Sequence, residues 1–248
     1  MHVKALKTHP IKVGESLIEV LDRYVVTLSE KSILAITSKV VSLCQGRVVP
    51  QDSVRDKYEL VRREADAYLA QEDCPYHLTI KNNILIPSAG IDHSNGDGAY
   101  ILYPEDIQQT AADIWRHLRK KHSLTKVGVI ITDSHTTPLR KGVTGITLGW
   151  CGFEPLHSYI GQPDIFGQPL RVTQINILDA LAVSAVFVMG EGAEQTPIAL
   201  IEDAPKIRFL PDPSSREQEQ DIQISLKDDI YAPLLKNAPW VWNKPKKK

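Results

Sequence analysis

Residues 126–132, Lys126-Val127-Gly128-Val129-Ile130-Ile131-Thr132, are apolar with no polar alternation, the pattern of a strand buried inside a sheet. The run closes at Asp133 and opens the stretch Ser134-His135-Thr136-Thr137-Pro138-Leu139-Arg140-Lys141-Gly142. Ligands in sheet-containing proteins tend to sit just outside strand ends, where backbone groups are free and side chains converge. A carboxylate with adjacent hydroxyls at such an end, followed by a turn and two cations, suits an ion and a phosphate. An ordinary turn cap with solvated Arg140 and Lys141 fits the same string, since Asp is a favoured turn residue.

A chain of 248 residues can enclose one large core or two small ones. Lys and Arg number 29 against 30 Asp and Glu, so no global field favours nucleic acid or an anionic membrane. No apolar run approaches the ~20 residues of a membrane span. The first residues alternate apolar and basic side chains and lack the continuous apolar core of a signal peptide. Cys44, Cys74 and Cys151 are odd in number and widely scattered, which fits neither a disulfide framework nor a zinc site. A reducing cytoplasm is the expected location.

Strand-like runs at 2–6, 33–36, 79–86, 100–102, 142–148 and 198–201 are interspersed with helical periodicity at 16–25, 40–46, 58–71, 104–121 and 175–189. Asn82-Asn83 marks a bend, Glu105-Asp106 a first helical turn and Arg119-Lys120-Lys121 a last one. The run 175–189 reads as a buried Ala-rich helix, and 155–166 as a loop with several aromatics. The alternation is irregular, without the even strand–helix cadence of a doubly wound sheet or barrel, and predicts α+β with mixed sheets and packed helices, with α/β as the alternative. Residues 1–210 read as one domain, with a division into two subdomains as the alternative, and 211–248 as a charged extension with a frayed basic end.

Four polar clusters interrupt the apolar framework. Thr37-Ser38-Lys39, between strand and helix, offers hydroxyls and an ammonium to a phosphate chain, although a helix cap with an exposed lysine explains it equally. No glycine-rich lead-in makes it a Walker loop. Gly90-Ile91-Asp92-His93-Ser94-Asn95 places a carboxylate and an amide on a loop, suited to a hard cation and a nucleotide, or simply to a turn. The Asp133-Ser134 junction is the third. Gly190-Glu191-Gly192 is the fourth; its glycines fit a helix C-cap, which gives no reason for the Glu. His93 and His135 lack zinc-site spacing, and no Gly-x-Ser-x-Gly elbow is present. Asp92, Asp133 and Glu191 would form a divalent-metal site if folding brought them together.

In order along the chain, these clusters resemble the coenzyme F420-0:γ-glutamyl ligase family. The matching pieces are Thr-Ser-Lys-Val-Val-Ser at 37–42 with Gly46-Arg47, Ala-Gly-Ile-Asp-x-Ser-Asn at 89–95, and Val-Ile-Ile-Thr-Asp-Ser at 129–134. Arg-x-Gly at 140–142, Leu170-x-Val-Thr173 and Met-Gly-Glu-Gly at 189–192 complete the series. The resemblance spans about Val3 to Pro205, and its strength lies in the shared order and spacing.

That resemblance implies the fold of the family, an intertwined homodimer, and a ligase that uses GTP (or ATP) with two divalent ions, Mn²⁺ or Mg²⁺, with K⁺ as an additional cation. It assigns Asp92, Asp133, Ser134 and Glu191 to metal. It assigns Pro10, Ile11, Ser38, Lys39, Asn95, Met189, Gly190, Gly192, Ala193, Glu194, Gln195 and Thr196 to the nucleotide. Asp133 and Arg140 are the expected catalytic residues, and His135, Thr136 and Thr137 the expected acceptor side. The implied reaction activates an acceptor carboxylate as an acyl phosphate, which the amine of L-glutamate attacks. The family commonly reads Asp-Thr-x-Gly-Arg at the strand end; here Ser134 replaces Thr, and Thr136-Thr137 stand where Gly-Arg is usual. Leu43 stands where archaeal members can carry a nucleotide-contacting lysine. The strings Asp-Ser-His-Thr-Thr-Pro-Leu-Arg and Met-Gly-Glu-Gly-Ala-Glu-Gln-Thr-Pro look like a bacterial branch assigned to folate metabolism, so folate stands slightly ahead of F420-0 as acceptor. A non-catalytic nucleotide-binding module and a metal-dependent phosphohydrolase are the competing readings.

Overall fold

The computed structural model describes residues 1–70, 76–213 and 222–244. In chain order the elements are β1 (His2–Leu6), α1 (Leu17–Tyr24), β2 (Ser32–Thr37), α2 (Ser38–Cys44), β3 (Val48–Pro50), α3 (Lys57–Glu64), β4 (Ala67–Leu69), β5 (Leu78–Lys81), β6 (Ile84–Pro87) and β7 (Ala99–Ile101). They continue with α4 (Ile107–His122), β8 (Val127–Thr136), β9 (Val143–Cys151), β10 (Leu156–Ser158), β11 (Gln174–Asn176), α5 (Ile177–Met189), β12 (Ile198–Glu202), α6 (Ala232–Leu235) and β13 (Trp240–Trp242). This is the mixed α+β architecture that the irregular alternation predicts.

The central sheet has the order β1-β12-β2-β8-β9. Among the described residues only β2 and β8 pair in parallel; their register brings Thr37 opposite Thr132. Both strands are apolar on both faces because helices cover both. Leu34, Ile36, Val129 and Ile131 pack with α1, α2 and α4. Ile33, Ala35 and Ile130 pack with α5 on the other side. A second antiparallel sheet, β13-β4-β5-β6, and the small pairs β3-β7 and β10-β11 flank this sandwich. The smaller core of Leu60, Val61, Ala65, Ala89, Ile91 and Leu102 lies beneath the loop that carries Asp92. Trp240–Trp242 pairs with β4, so the last described segment joins a sheet.

Several boundaries differ from the sequence reading. The helix expected over 58–71 ends at Glu64, because Asp66 N–H bonds the carbonyl of Ile80 and the chain turns into β4. Gln71, Cys74 and the lysines at 246–248 lie outside the described residues. The helix expected from Pro104 begins at Ile107, since Asp106 adopts a left-handed conformation, and Glu105 and Asp106 precede its first turn. The loop at 155–166 contains the short strand β10. The helix at 175–189 starts at Ile177, capped by the Asn176 side chain, and it is not wholly buried: Phe187 is 86% exposed. The Asn82-Asn83 bend does join β5 to β6, with both residues at positive φ. No helix among the described residues is long and apolar enough to cross a membrane.

Candidate active site

The carboxyl ends of β2 and β8 open together onto a cavity of about 460 Å³. At the β2 end the chain enters α2 directly, which brings Thr37, Lys39, Val40 and Leu43 to the wall. At the β8 end the register against β9 shifts between Ile131 and Thr132, whose partners are Gly149 and Thr147. Irregular pairing of this kind re-aims side chains beside functional sites. Thr132, Asp133 and Ser134 line the cavity beyond it.

The third wall comes from the end of α5. Its start is held against β9, where Thr147 donates its N–H to Asp179 at 2.9 Å and its hydroxyl to the Leu178 carbonyl at 3.0 Å. At its end Gly190 has φ +77°, and a Cβ there would lie 2.6 Å from the Glu194 carboxyl carbon. The Glu194 side chain could swing aside, so it is the left-handed backbone that calls for glycine here. The following loop folds on itself: Gly192 N–H donates to Glu194 Oε2 at 2.8 Å and the Thr196 hydroxyl to the Met189 carbonyl at 2.5 Å. Asn95 donates through Nδ2 to the Gly192 carbonyl at 3.2 Å. A fourth edge is the segment at Thr8–Ile11, fixed by His9, whose ring nitrogens meet Tyr24 Oη at 2.6 Å and Glu15 Oε2 at 2.8 Å.

The charges are arranged around one ammonium. Lys39 Nζ lies 2.6 Å from Asp92 Oδ2 and 3.1 Å from Ser94 Oγ. Asp92 Oδ1 accepts from the N–H groups of His93 and Ser94 at 2.5 and 2.7 Å and from the Ser94 hydroxyl at 2.9 Å. Burial opposes the charged form of Asp92, but Lys39 and Ser94 outweigh it, and its pKa falls below the ordinary value. Asp133 behaves oppositely. Burial lifts it to about 6, the Asp92 charge adds to the rise, and Tyr103, the Ser134 N–H and Lys39 offset only part of it. Glu191 is also raised, first by burial and then by Asp92 and Glu194, against the pull of Lys39 and Ser134. Tyr103 faces Asp133 from beneath; burial and that carboxylate drive its pKa well up. Among the described residues its buried hydroxyl has no partner at hydrogen-bonding geometry.

Asp92, Asp133, Ser134, Glu191, Lys39, Asn95, Pro10, Ile11 and residues 189–196 all line this cavity. Ser38 does not; it is buried at the start of α2, and Thr37 takes the wall position beside it. His135, Thr136, Thr137 and Arg140 also lie off the lining, on the β8–β9 hairpin, where Arg140 is exposed and its N–H bonds the Thr137 carbonyl. Thr8, His9, Asp97 and Thr132 line the cavity without having stood out in the sequence. Tyr103 escaped notice as well, because nothing in the string Tyr103-Pro104 signals a partner for a carboxylate thirty positions away.

Among the described residues no three His, Cys, Asp or Glu side chains cluster tightly enough to enclose a metal alone. The donors that share the cavity, Asp92, Asp133, Ser134 and Glu191, are all hard oxygens. That set fits Mg²⁺ or Mn²⁺, which take oxygen ligands and complete their shells with water and substrate phosphates.

Residues 5–203 match the model of the family described as F420-0:Gamma-glutamyl ligase. Similar proteins include the coenzyme F420:L-glutamate ligase of Methanopyrus kandleri, 29% identical over 207 residues, covering 77% of this chain and 81% of the relative. That of Methanosarcina mazei is 30% identical over 191 residues, covering 70% and 74% respectively. That of Methanocaldococcus jannaschii is 28% identical over 222 residues, covering 82% and 88%. A match across most of the chain, together with the four clusters around one cavity, places this protein in the F420-0:gamma-glutamyl ligase family.

Proposed function

We propose that the protein is a nucleotide- and divalent-metal-dependent γ-glutamyl ligase that joins L-glutamate to an acceptor carboxylate, folate ahead of F420-0. The observation that carries this reading is the meeting of Asp92, Asp133 and Glu191 with Lys39 and residues 189–197 in one cavity at the ends of β2 and β8. In the first step an acceptor carboxylate oxygen attacks the γ-phosphorus of GTP or ATP, the β–γ bond breaks, and the nucleoside diphosphate leaves. In the second, the glutamate amine attacks the acyl carbon, inorganic phosphate leaves, and the amine gives up a proton. Asp92, Asp133, Ser134 and Glu191 would hold the divalent ions, Mn²⁺ or Mg²⁺, which supply compensation for the phosphate charge. Lys39 adds a further positive charge, Asn95 orients the loop at 189–196, and that loop with Pro10 and Ile11 contacts the nucleotide. Thr8–Ile11 is tied to the loop after α5 by the bond from the Thr8 N–H to the Gln195 carbonyl at 2.8 Å, so the two segments together form one edge of the cavity.

The departures at Thr136 and Thr137 favour folate. They replace the usual Gly-Arg on the hairpin that leads away from the metal-side carboxylates, where the acceptor would be met. We also take the working form to be a homodimer, because α5 and the segment between β10 and β11 expose Val183, Phe187, Ile165, Phe166 and Val172.

The test is incubation of purified protein with Mn²⁺, L-glutamate, GTP or ATP, and either folate or F420-0, followed by mass spectrometry of the acceptor. Addition of glutamate coupled to nucleotide consumption is expected, with folate the better acceptor. No modified acceptor and no nucleotide consumed would reject the ligase. Phosphate release that ignores glutamate would instead identify a phosphohydrolase.

A further inference from the structure

Lys39 is the second residue of α2, and its Nζ sits 2.6 Å from Asp92 Oδ2. The other oxygen of that carboxylate already accepts the amides of His93 and Ser94 and the Ser94 hydroxyl. Oδ2 is thus the oxygen left to bind a metal, and Lys39 covers it. The same ammonium acts on Asp133 and Glu191, so one side chain compensates three carboxylates facing the cavity. Lys57 also acts on Asp92, but its Nζ lies over the Tyr100 ring at 5.9 Å and does not cover Oδ2.

A divalent ion bound to Oδ2 would stand within a few ångströms of the ammonium, and like charges at that range repel strongly. The lysine stem is flexible, with three rotatable donors on its head, so withdrawal costs little. Residues 189–197, where phosphates are proposed to lie, line the same cavity, and the Thr37 N–H donates to the Pro197 carbonyl at 3.0 Å.

We infer that Lys39 is an exchangeable counter-ion: it covers Asp92 in the metal-free protein, leaves when a divalent cation binds, and is thereby released toward the phosphates of the nucleotide. This rests on the metal- and nucleotide-dependent reading above and adds to it a physical coupling between the two ligands. Metal arrival presents a free ammonium to phosphate, and phosphate gives the displaced ammonium a partner. Lys39 then acts as a positioning residue whose two partners alternate.

The test uses Mn²⁺ alone, titrated into chelator-treated protein and followed by the electron paramagnetic resonance signal of free Mn²⁺. Lys39→Met should bind Mn²⁺ roughly two- to fivefold more tightly than wild type, the scale of losing one partly exposed ion pair. Lys39→Arg, which keeps the pair, should not. Equal or weaker binding by folded Lys39→Met would overturn the exchange. Independently of any variant, the Lys39 amine of wild-type protein should react faster with trinitrobenzenesulfonate when Mn²⁺ is present, read by peptide mass spectrometry. Unchanged or slower labelling would also overturn it. Wild-type protein that binds no Mn²⁺ would remove the metal-dependent reading itself, a different outcome from either of these.

Discussion

Asn95 and Gly192 are 97 positions apart, yet the Asn95 amide donates to the Gly192 carbonyl at 3.2 Å and ties the loop after β6 to the loop after α5. Asn95 holds φ +56°, a left-handed conformation that Asn tolerates better than most residues. The bond closes the cavity on the side where the nucleotide is proposed to lie. Asn95→Ala should therefore weaken nucleotide affinity about tenfold, the scale of one hydrogen bond, with a modest fall in melting temperature, because Asn95 is exposed but alanine tolerates its left-handed backbone less well. Isothermal titration with GTP and ATP checks this. Unchanged affinity for both would mean the link does not shape the nucleotide side.

Gly90 carries the loop of Asp92 over Tyr103. It has φ +69°, and a Cβ there would lie 2.0 Å from Tyr103 Cε1. The alanine must both adopt an unfavourable backbone and displace a buried ring. Gly90→Ala should cost at least about 2 kcal/mol in chemical denaturation, at the upper side of overpacking. It should also disturb Asp133, since Tyr103 is the group that faces it. A variant as stable as wild type would show that the ring can move freely, and the support of Asp133 from below would have to be abandoned.

Much of this site was legible in the sequence because its residues mark element ends. Asp133 follows the apolar part of β8, which itself runs on to Thr136, Lys39 follows β2, and Glu191 follows α5; the breaks in hydrophobicity locate them. Their convergence was not legible, since it depends on the parallel pairing of β2 with β8 and on the docking of α5 against β9. Tyr103 and His9 were missed for the same reason: each gains its role from partners met only in three dimensions. The helix expected over 58–71 failed because Ala65, Tyr68 and Leu69 satisfy helical spacing, while the pairing of β4 with β5 and β13 decides the backbone. Arg140 and His135–Thr137 illustrate a further limit, for a hairpin continues the sequence of a site without following its walls.

Phe187 offers a direct check on self-association. It lies on α5 with 86% of its surface exposed, beside Val183, whereas Ala185 and Val186 on the same helix are buried. An apolar helix that is open on one side has a face to cover, and a second copy of the chain would cover it. Wild-type protein should elute as a dimer in light-scattering chromatography, and Phe187→Asp should shift it toward monomer by placing a charge in a desolvated contact. Wild-type monomer at every loading would rule out the homodimer.

Asp133 yields a pH dependence whose sign is fixed by its environment. Its ordinary value is 3.8 and its value in the folded chain is about 6, because burial disfavours the charge. Between those two values the folded state holds a proton that the unfolded state has released, so stability falls as pH rises through this window. Above about 6 the penalty is fully present. Asp133→Asn carries no such charge. In chelator-treated protein it should melt higher than wild type above the window, and the difference should shrink as pH falls through it. The same variant should lose ligase activity by about a hundredfold or more, since the carboxylate proposed above to hold a divalent ion is replaced by a neutral amide. Melting curves across the window and glutamate-addition assays measure the two effects separately. A variant that melts lower than wild type above the window would mean that the native charge is stabilising and that the partners of Asp133 outweigh its burial. Near-wild-type turnover would remove Asp133 from the chemistry, whatever the melting curves show.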